Sequence, residues 1–244
     1  MPTIGVVDVC KNFGGVQALK GVSFSLGDSA VLGLIGPNGS GKSTLLNIIA
    51  GLQKPTSGTV KLDGKKVAGF RADRMVALGV AKTHQIPKPF LNMTVAENVA
   101  VAALYGRRLG SVAPAIEEAE RVLSLVGMEE RKNSPTASLT SQERKRLELA
   151  KVIATGAKVL LLDEVFAGLS VEELRDSLEL FRKLHDELRF SALVVEHVMR
   201  AVLNVSESVV VLEEGRVIAT GSPEQIVHDE KVIQAYLGSK RIGA

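Results

Sequence analysis

The segment 36–44 combines glycines, a lysine and hydroxyl side chains in the spacing G-x-x-x-x-G-K-S/T. Glycines permit the tight curvature through which several backbone N–H groups converge on one anion. Lys42 adds a positive charge for the β- and γ-phosphates of a nucleotide, and the Ser43 hydroxyl can ligate Mg²⁺. The spacing therefore predicts a phosphate-binding loop. Its residues are Gly36, Pro37, Asn38, Gly39, Ser40, Gly41, Lys42, Ser43 and Thr44.

A second candidate group lies where the apolar run 159–162 ends in Asp163 and Glu164. Ligands of open α/β sheets bind at the carboxyl ends of the strands. Asp163 would hold Mg²⁺ through its water shell, and Glu164 would orient or deprotonate an attacking water. Taken alone, such an acidic pair is more often the solvated start of a loop. The phosphate loop reverses that preference and favours nucleotide hydrolysis.

The elements that must position these groups are visible in the apolar pattern. Residues 31–35 form an apolar run before the phosphate loop, as expected of a strand covered on both faces, and residues 44–50 read as the helix after it. The first third is β-rich, the middle is helical, and strands and helices alternate in the second half, which implies a parallel sheet. Further predicted strands are 4–9, 21–26, 59–62, 159–162, 191–195, 208–212 and 216–219, and predicted helices are 95–104, 114–126, 142–154 and 171–189.

Composition excludes several classes of protein. The 244 residues carry a formal net charge of +3 and only 4% aromatic residues with no tryptophan, so we expect no nucleic-acid binding. The single cysteine, Cys10, excludes an internal disulfide and fits a reducing compartment. The sequence shows no signal peptide and no apolar run of about 18 residues, so contact with a membrane is expected only through partners.

Together these motifs resemble those of the ATP-binding subunits of ABC transporters, and the resemblance covers essentially the whole chain. Phe13 lies 23 residues before Gly36, where that family keeps an aromatic ring that stacks on adenine. Val16 follows closely and is assigned to the same nucleotide site. Since a nucleobase has an apolar π face, a phenyl ring is a suitable platform. The cofactors implied are ATP and Mg²⁺.

Two further residues acquire roles only through this resemblance. Gln85 resembles the family's loop glutamine, which senses the γ-phosphate and Mg²⁺, and we expect it to end a short strand. His197 comes 34 residues after Asp163 and resembles the switch histidine that contacts the γ-phosphate and holds the water and Glu164 in place. The implied catalytic residues are Glu164, His197 and Gln85, and the implied metal-site residues are Ser43, Gln85 and Asp163.

The signature segment departs from the family. Most members read Leu-Ser-Gly-Gly-Gln, whereas residues 139–143 read Leu-Thr-Ser-Gln-Glu, without either glycine. The resemblance implies that Thr140 and Ser141 contact the γ-phosphate bound to a second subunit. Thr140 and Glu143 also predict a capping box, and a hydroxyl that caps its own helix cannot fully serve a phosphate. We therefore expect weaker contacts between subunits and slower hydrolysis. Val165 also stands where the family usually has proline.

The resemblance implies a P-loop NTPase (RecA-like) α/β core with a parallel sheet, an N-terminal antiparallel β subdomain and an inserted helical subdomain. The expected single ABC ATPase domain spans 1–244. Its β-rich subdomain covers about 1–30 and 55–75, its core about 31–54, 76–86 and 156–244, and its helical subdomain about 87–155.

Several segments narrow the resemblance to the ATP-binding subunits of branched-chain amino-acid importers. The implied partners are transmembrane permease subunits and a second ATP-binding subunit, identical or paralogous, with the chain in the cytoplasm on the inner face of the cell membrane. Two copies would sandwich two ATP molecules, and their closure would move the permease. The segments are 81–90, 92–99, 163–169, 196–199 and 221–238.

Three other classes stay open at this point. A soluble ABC ATPase in DNA repair, translation or cofactor assembly would share all the nucleotide motifs, although this chain has no long coiled-coil insertion and no second cassette. A P-loop GTPase or small-molecule kinase would explain only the phosphate loop, and no Asn-Lys-x-Asp element for guanine is present. The altered signature also permits a non-hydrolysing regulatory module.

Overall fold

The computed structural model describes residues 4–196 and 199–237. In chain order its first elements are β1 Ile4–Phe13, β2 Val16–Leu26, β3 Val31–Ile35, α1 Lys42–Ile49, β4 Ser57–Leu62, β5 Lys65–Lys66, α2 Ala72–Ala77, β6 Val80–Lys82, α3 Val95–Gly106 and α4 Val112–Leu125. They continue with α5 Ser141–Ala154, β7 Val159–Asp163, α6 Val171–Leu188, β8 Ser191–Val195, α7 Met199–Val205, β9 Ser208–Glu213, β10 Arg216–Gly221, α8 Pro223–Val227 and α9 Glu230–Leu237. No helix in the described ranges is both long and apolar enough to cross a membrane.

One compact unit joins the chain up to Arg71 with the chain from Ser191 onward. It contains an antiparallel sheet in the order β2-β1-β4-β5, in which β1 pairs with both β2 and β4. Alternate side chains of these strands, such as Ile4, Val6 and Val60, are almost completely buried. The alternation is the pattern of a sheet with one face against a core.

The same unit contains β3, which pairs in parallel with β8 on one side and with β9 on the other. The hairpin partner β10 runs antiparallel to β9. All five residues of β3 and all five of β8 are buried, as expected of parallel strands covered on both faces. Ile226 of α8 and Val232 of α9 pack into a buried cluster with Ile35, so the C-terminal helices cover the end of β3.

The second compact unit is Ala72–Phe190. In it β6 pairs in parallel with β7, and α3 packs against α4 and α5. Three of its helices, α3, α5 and α6, begin with a complete capping box in which a hydroxyl and a glutamate exchange hydrogen bonds with the backbone. Phe181 of α6 is buried and packs edge-to-face against Phe166 and Phe190.

The predicted α/β class, with parallel core strands and an antiparallel N-terminal sheet, is confirmed. A capping box is present at Ser222 and Gln225, with Pro223 at the first helical position of α8. Two strands are longer than predicted: β1 continues to Phe13 instead of ending at residue 9, and the element predicted at 21–26 begins at Val16. Register shifts in β1–β2 and a left-handed Gly21 (φ 78°) interrupt the alternation of both strands. The short helices α2, α7 and α9 were missed because so few turns give no clear period.

Candidate nucleotide-binding and catalytic site

The predicted phosphate loop connects the buried strand β3 to helix α1. Three of its glycines have positive φ angles, 150° at Gly36, 80° at Gly39 and 104° at Gly41. A side chain at Gly36 would collide with the carbonyl oxygen of Leu212, and one at Gly41 would come within 2.7 Å of the carbonyl oxygen of Ala18. Close packing against the neighbouring backbone therefore requires glycine at both positions.

The side chain of Lys42 lies inside this loop and is 5% exposed. Its Nζ donates to the carbonyl oxygens of Gly36 at 2.7 Å and Pro37 at 2.8 Å, and to Ser40 Oγ at 3.3 Å. The loop thus curls around a buried cation that its own carbonyl oxygens hold in place. A charge held in this way is preorganised to meet a phosphate.

The start of α1 offers backbone donors to an anion. Its N-cap is Gly41, which has no side chain to cap the helix. The first N–H groups of a helix have no intrahelical partner, and the helix dipole favours negative charge there. Ser43 is exposed and Thr44 is half-buried in this first turn.

The two residues predicted to meet the base lie at the turn of the β1–β2 hairpin. Phe13 is 47% exposed and Val16 is 68% exposed, so neither contributes to the core. The Lys11 ammonium lies 4.9 Å from the centroid of the Phe13 ring. The structure therefore presents a half-exposed phenyl ring that has a cation over one of its faces.

Asp163 is the last residue of β7 and is 3% exposed. Its Oδ2 lies 3.0 Å from Lys82 Nζ, and its backbone N–H donates to Thr83 Oγ1 at 2.9 Å. Its Oδ1 is buried and accepts no hydrogen bond from the described residues. A buried carboxylate oxygen without a protein donor is fitted to accept a hydrogen bond from metal-bound water. The Asp163 carboxylate, whose Oδ1 has no hydrogen-bond partner among the described residues, therefore fits a Mg²⁺ site.

Glu164 follows directly and is half-buried. Its φ of 54° puts a non-glycine residue in the left-handed region. That conformation is uncommon and is enriched at functional sites.

Gln85 does not end a strand, contrary to the prediction from sequence. Strand β6 ends at Lys82, and Gln85 lies exposed in the bend that follows. The His84 N–H donates to the Glu148 carboxylate at 3.5 Å rather than to a neighbouring strand, so the chain has left the sheet before Gln85. His197 lies outside the described residues.

The predicted capping box of the signature segment is present at the start of α5. Thr140 Oγ1 accepts from the Glu143 N–H at 3.2 Å, and the Thr140 N–H donates to Glu143 Oε2 at 2.8 Å. The Thr140 hydroxyl also donates to the Glu143 carboxylate, which helps to hold the pKa of Glu143 below its ordinary value. Because a hydroxyl has one hydrogen to donate, the expectation that a capping Thr140 cannot fully serve a phosphate stays a prediction. Thr140 and Ser141 are both exposed.

Sequence reasoning missed three residues that contact the acidic pair. Lys82 and Thr83 bond to Asp163, and Lys145 bonds to the carbonyl oxygen of Glu164 at 3.4 Å. The position of Lys82 and Thr83 at the end of a predicted strand was the available signal. Lys145 gave no signal, because a charged residue on an amphipathic helix is usually a solvated surface residue.

The family model described as "ABC transporter" matches residues 19–167 of this chain. A second model, described as "Branched-chain amino acid ATP-binding cassette transporter", matches residues 216–241.

Curated relatives align over nearly the full chain. The chain is 34% identical to the high-affinity branched-chain amino acid transport ATP-binding protein BraF of Pseudomonas aeruginosa, over 97% of this chain and 98% of that protein. It is 33% identical to the high-affinity branched-chain amino acid transport ATP-binding protein LivG of Escherichia coli, again over 97% and 98%.

Solved structures share the fold. A nucleotide-free ATP-binding cassette from an ABC transporter superposes with a TM-score of 0.89 at 27% identity, covering 98% of this chain and 100% of that one. A dimeric bacterial ABC transporter cassette superposes with a TM-score of 0.81 at 25% identity, covering 90% and 98%.

Proposed function

The chain belongs to the ABC transporter family, and from that premise we propose that it is the ATP-binding and hydrolysing subunit of an importer for branched-chain or related amino acids. The observation that carries the proposal is the phosphate loop, in which Lys42 is buried among the carbonyl oxygens of a strand–loop–helix turn. The solute class rests on the match of residues 216–241 and on the names of the relatives.

The nucleotide would bind through the loop 36–44. Its N–H groups and the Lys42 ammonium would hold the β- and γ-phosphates, where anionic oxygens replace the carbonyl oxygens as partners of the ammonium. The exposed ring of Phe13, with Val16 beside it, would stack on the adenine. These roles are supported by exposure at the hairpin turn and by burial in the loop.

The residues assigned to Mg²⁺ are Ser43, Gln85 and Asp163. When bound, the ion would neutralise charge on the β- and γ-phosphates. The Ser43 hydroxyl would serve as a direct ligand, and Asp163 Oδ1 would accept a hydrogen bond from a metal-bound water, since that oxygen has no donor among the described residues. Lys82 keeps the other oxygen of Asp163 occupied.

Hydrolysis would use Glu164 to orient or deprotonate the attacking water, because water is a poor nucleophile. His197 would contact the γ-phosphate and hold the water in place. Thr140 and Ser141 of a second copy would donate to the γ-phosphate from the opposite side, through the hydroxyls and the N-terminus of α5. ATP would bind more tightly to the closed form of the two-subunit assembly than to the open form. This difference in binding free energy would drive the movement of the permease.

The partners would be transmembrane permease subunits and a second ATP-binding subunit, with the chain on the cytoplasmic face of the membrane. Transport is favoured over a soluble role in DNA repair, translation or cofactor assembly, because full-length relatives are named as transport subunits.

Affinity purification of the tagged chain from detergent-solubilised membranes of its own organism tests this proposal. We expect multispanning permease proteins to copurify and uptake of labelled leucine to stop when Lys42→Met replaces the wild-type chain. Uptake of labelled glutamate serves as the control and should not change. Recovery of DNA-repair or translation factors without permeases, together with unchanged leucine uptake, would contradict the proposal.

A further inference from the structure

The residues that follow β7 form a turn that a single ammonium group closes. The Ala167 N–H donates to the carbonyl oxygen of Glu164 at 3.4 Å, which defines a turn over residues 164–167. Lys145 Nζ donates to the same carbonyl oxygen at 3.4 Å and also to the carbonyl oxygen of Ala167. One cation thus bridges the two end carbonyl groups of the turn.

Glu164 needs such support because of its backbone conformation. Its φ of 54° is left-handed for a residue that has a Cβ atom. Such a conformation costs free energy and persists only where the surroundings fix it. A charge-assisted hydrogen bond to its carbonyl oxygen fixes the peptide plane after Glu164, and with it the direction in which the carboxylate leaves the backbone.

The rest of the turn is anchored by packing. Phe166 is 4% exposed and meets Phe181 edge-to-face, with ring centroids 6.0 Å apart. Lys145 lines a small pocket together with Val165, Phe166 and Leu169. Polar residues, among them Gln142 and Arg146, also line this pocket, and Lys145 itself is half-buried.

Lys145 also connects this turn to the start of α5. It lies five residues after Thr140 on the same helix, a rise of about 7 Å. The capping box fixes the first turn of that helix, so Thr140 and Lys145 belong to one rigid segment. A displacement of the α5 N-terminus therefore moves the group that holds the backbone of Glu164.

We propose that Lys145 is a positioning residue for hydrolysis, which holds the backbone of Glu164 and couples it to the signature end of α5. This inference rests on the proposed role of Glu164. Lys145 itself does not touch the nucleotide and transfers no proton.

Removal of the ammonium should slow the chemical step without weakening ATP binding. Loss of about 1 Å of positional precision costs on the order of 100-fold in rate. Because Phe166 still anchors the turn, we expect Lys145→Met to lower kcat by about 10-fold and to leave KM for ATP within about 2-fold. Lys145→Arg, which keeps a cation and several donors, should recover at least half of the wild-type kcat.

Steady-state hydrolysis of Mg-ATP by the full chain provides the test. The variants are Lys145→Met, Lys145→Arg and, as a matched control, Lys183→Met, which removes an exposed lysine of α6. Lys183→Met should match the wild type. An unchanged kcat for Lys145→Met, or equal loss in Lys145→Met and Lys145→Arg, would overturn the inference.

A second comparison separates this inference from the proposed function. In a Glu164→Gln background, Lys145→Met should not lower the residual single-turnover rate further, because its effect passes through Glu164. A further loss comparable to that in the wild-type background would overturn the inference. Full activity of Glu164→Gln would instead overturn the proposed role of Glu164. If Lys145→Met does not fold, Lys145→Gln, which removes the charge but keeps an N–H donor group, replaces it under the same criteria.

Discussion

The Lys82 ammonium lies 3.0 Å from Oδ2 of the Asp163 carboxylate, and both groups are largely withdrawn from water, with side-chain exposures of 12% and 3%. The two residues end the adjacent parallel strands β6 and β7. The pair neutralises one oxygen of the carboxylate, while Oδ1 has no hydrogen-bond partner among the described residues. The buried Asp163 carboxylate therefore has one oxygen paired with Lys82 and one oxygen that can still accept a hydrogen bond.

Lys82→Met should destabilise the folded chain by about 3 kcal/mol, because it leaves the Asp163 charge buried and unpaired. Urea unfolding without nucleotide measures this difference in the free energy of unfolding. Lys82→Arg keeps the charge and should lose less than about 1 kcal/mol. A Lys82→Met variant as stable as the wild type would show that the ion pair does not hold the charge of Asp163.

Gly36→Ala should abolish nucleotide binding, because the added methyl group would collide with the carbonyl oxygen of Leu212. Gly39→Ala is the matched control in the same loop. Its φ is 80°, yet a Cβ atom there meets nothing within 4 Å, so it should cost only about 1 kcal/mol of backbone strain. Titration with a fluorescent ATP analogue compares the two variants. Equal affinity in both would contradict the packing argument.

Introducing glycine at both Ser141 and Gln142 should raise the rate of ATP hydrolysis. Neither side chain is needed for the capping box, and without them a phosphate could approach the backbone N–H groups at the start of α5 more closely. The measurement is kcat at saturating Mg-ATP. Thr140→Ser is the control and should leave the rate nearly unchanged, because it keeps the hydroxyl. An unchanged or lower rate in the double-glycine variant would count against this reading of the signature.

The capping box also predicts a dependence of stability on pH. The backbone N–H of Thr140 holds the pKa of Glu143 below its ordinary value of 4.5, and the Thr140 side chain and Arg131 act in the same direction. Because the pKa of Glu143 is lower in the folded state, the capping box contributes its full stability above pH 4.5. This contribution is lost as the pH falls through the lowered pKa. The midpoint of thermal unfolding of Glu143→Gln should therefore lie below that of the wild type at neutral pH, and the gap should close in acid. A gap independent of pH would contradict this origin.

The parts of the site that the sequence predicted are those encoded by short spacings. The phosphate loop and the capping box at Thr140 depend on residues within about eight positions of each other. The contact between Lys82 and Asp163 spans 81 positions and that between Lys145 and Glu164 spans 19, so both depend on how elements pack. The first pair lies where two predicted strands end, but no local pattern predicts that these two strands are neighbours. No local pattern indicates the second pair.

Gln85 illustrates a further limit of sequence reasoning. The apolar run before it predicted a strand that reaches the glutamine, but the His84 N–H bonds to the Glu148 side chain of α5 instead. Competition between a side chain and a strand neighbour for one backbone N–H is decided by tertiary packing, which the local pattern does not contain.

The most direct test of the account is the hydrolysis of ATP by Glu164→Gln. The variant keeps the phosphate loop and should bind Mg-ATP with wild-type affinity. It should lose on the order of 100-fold or more in single-turnover rate and accumulate as an ATP-bound dimer in size-exclusion chromatography. The wild-type rate in this variant, or tight ATP binding without any dimer, would contradict the claim that Glu164 activates water in a two-subunit ATP site.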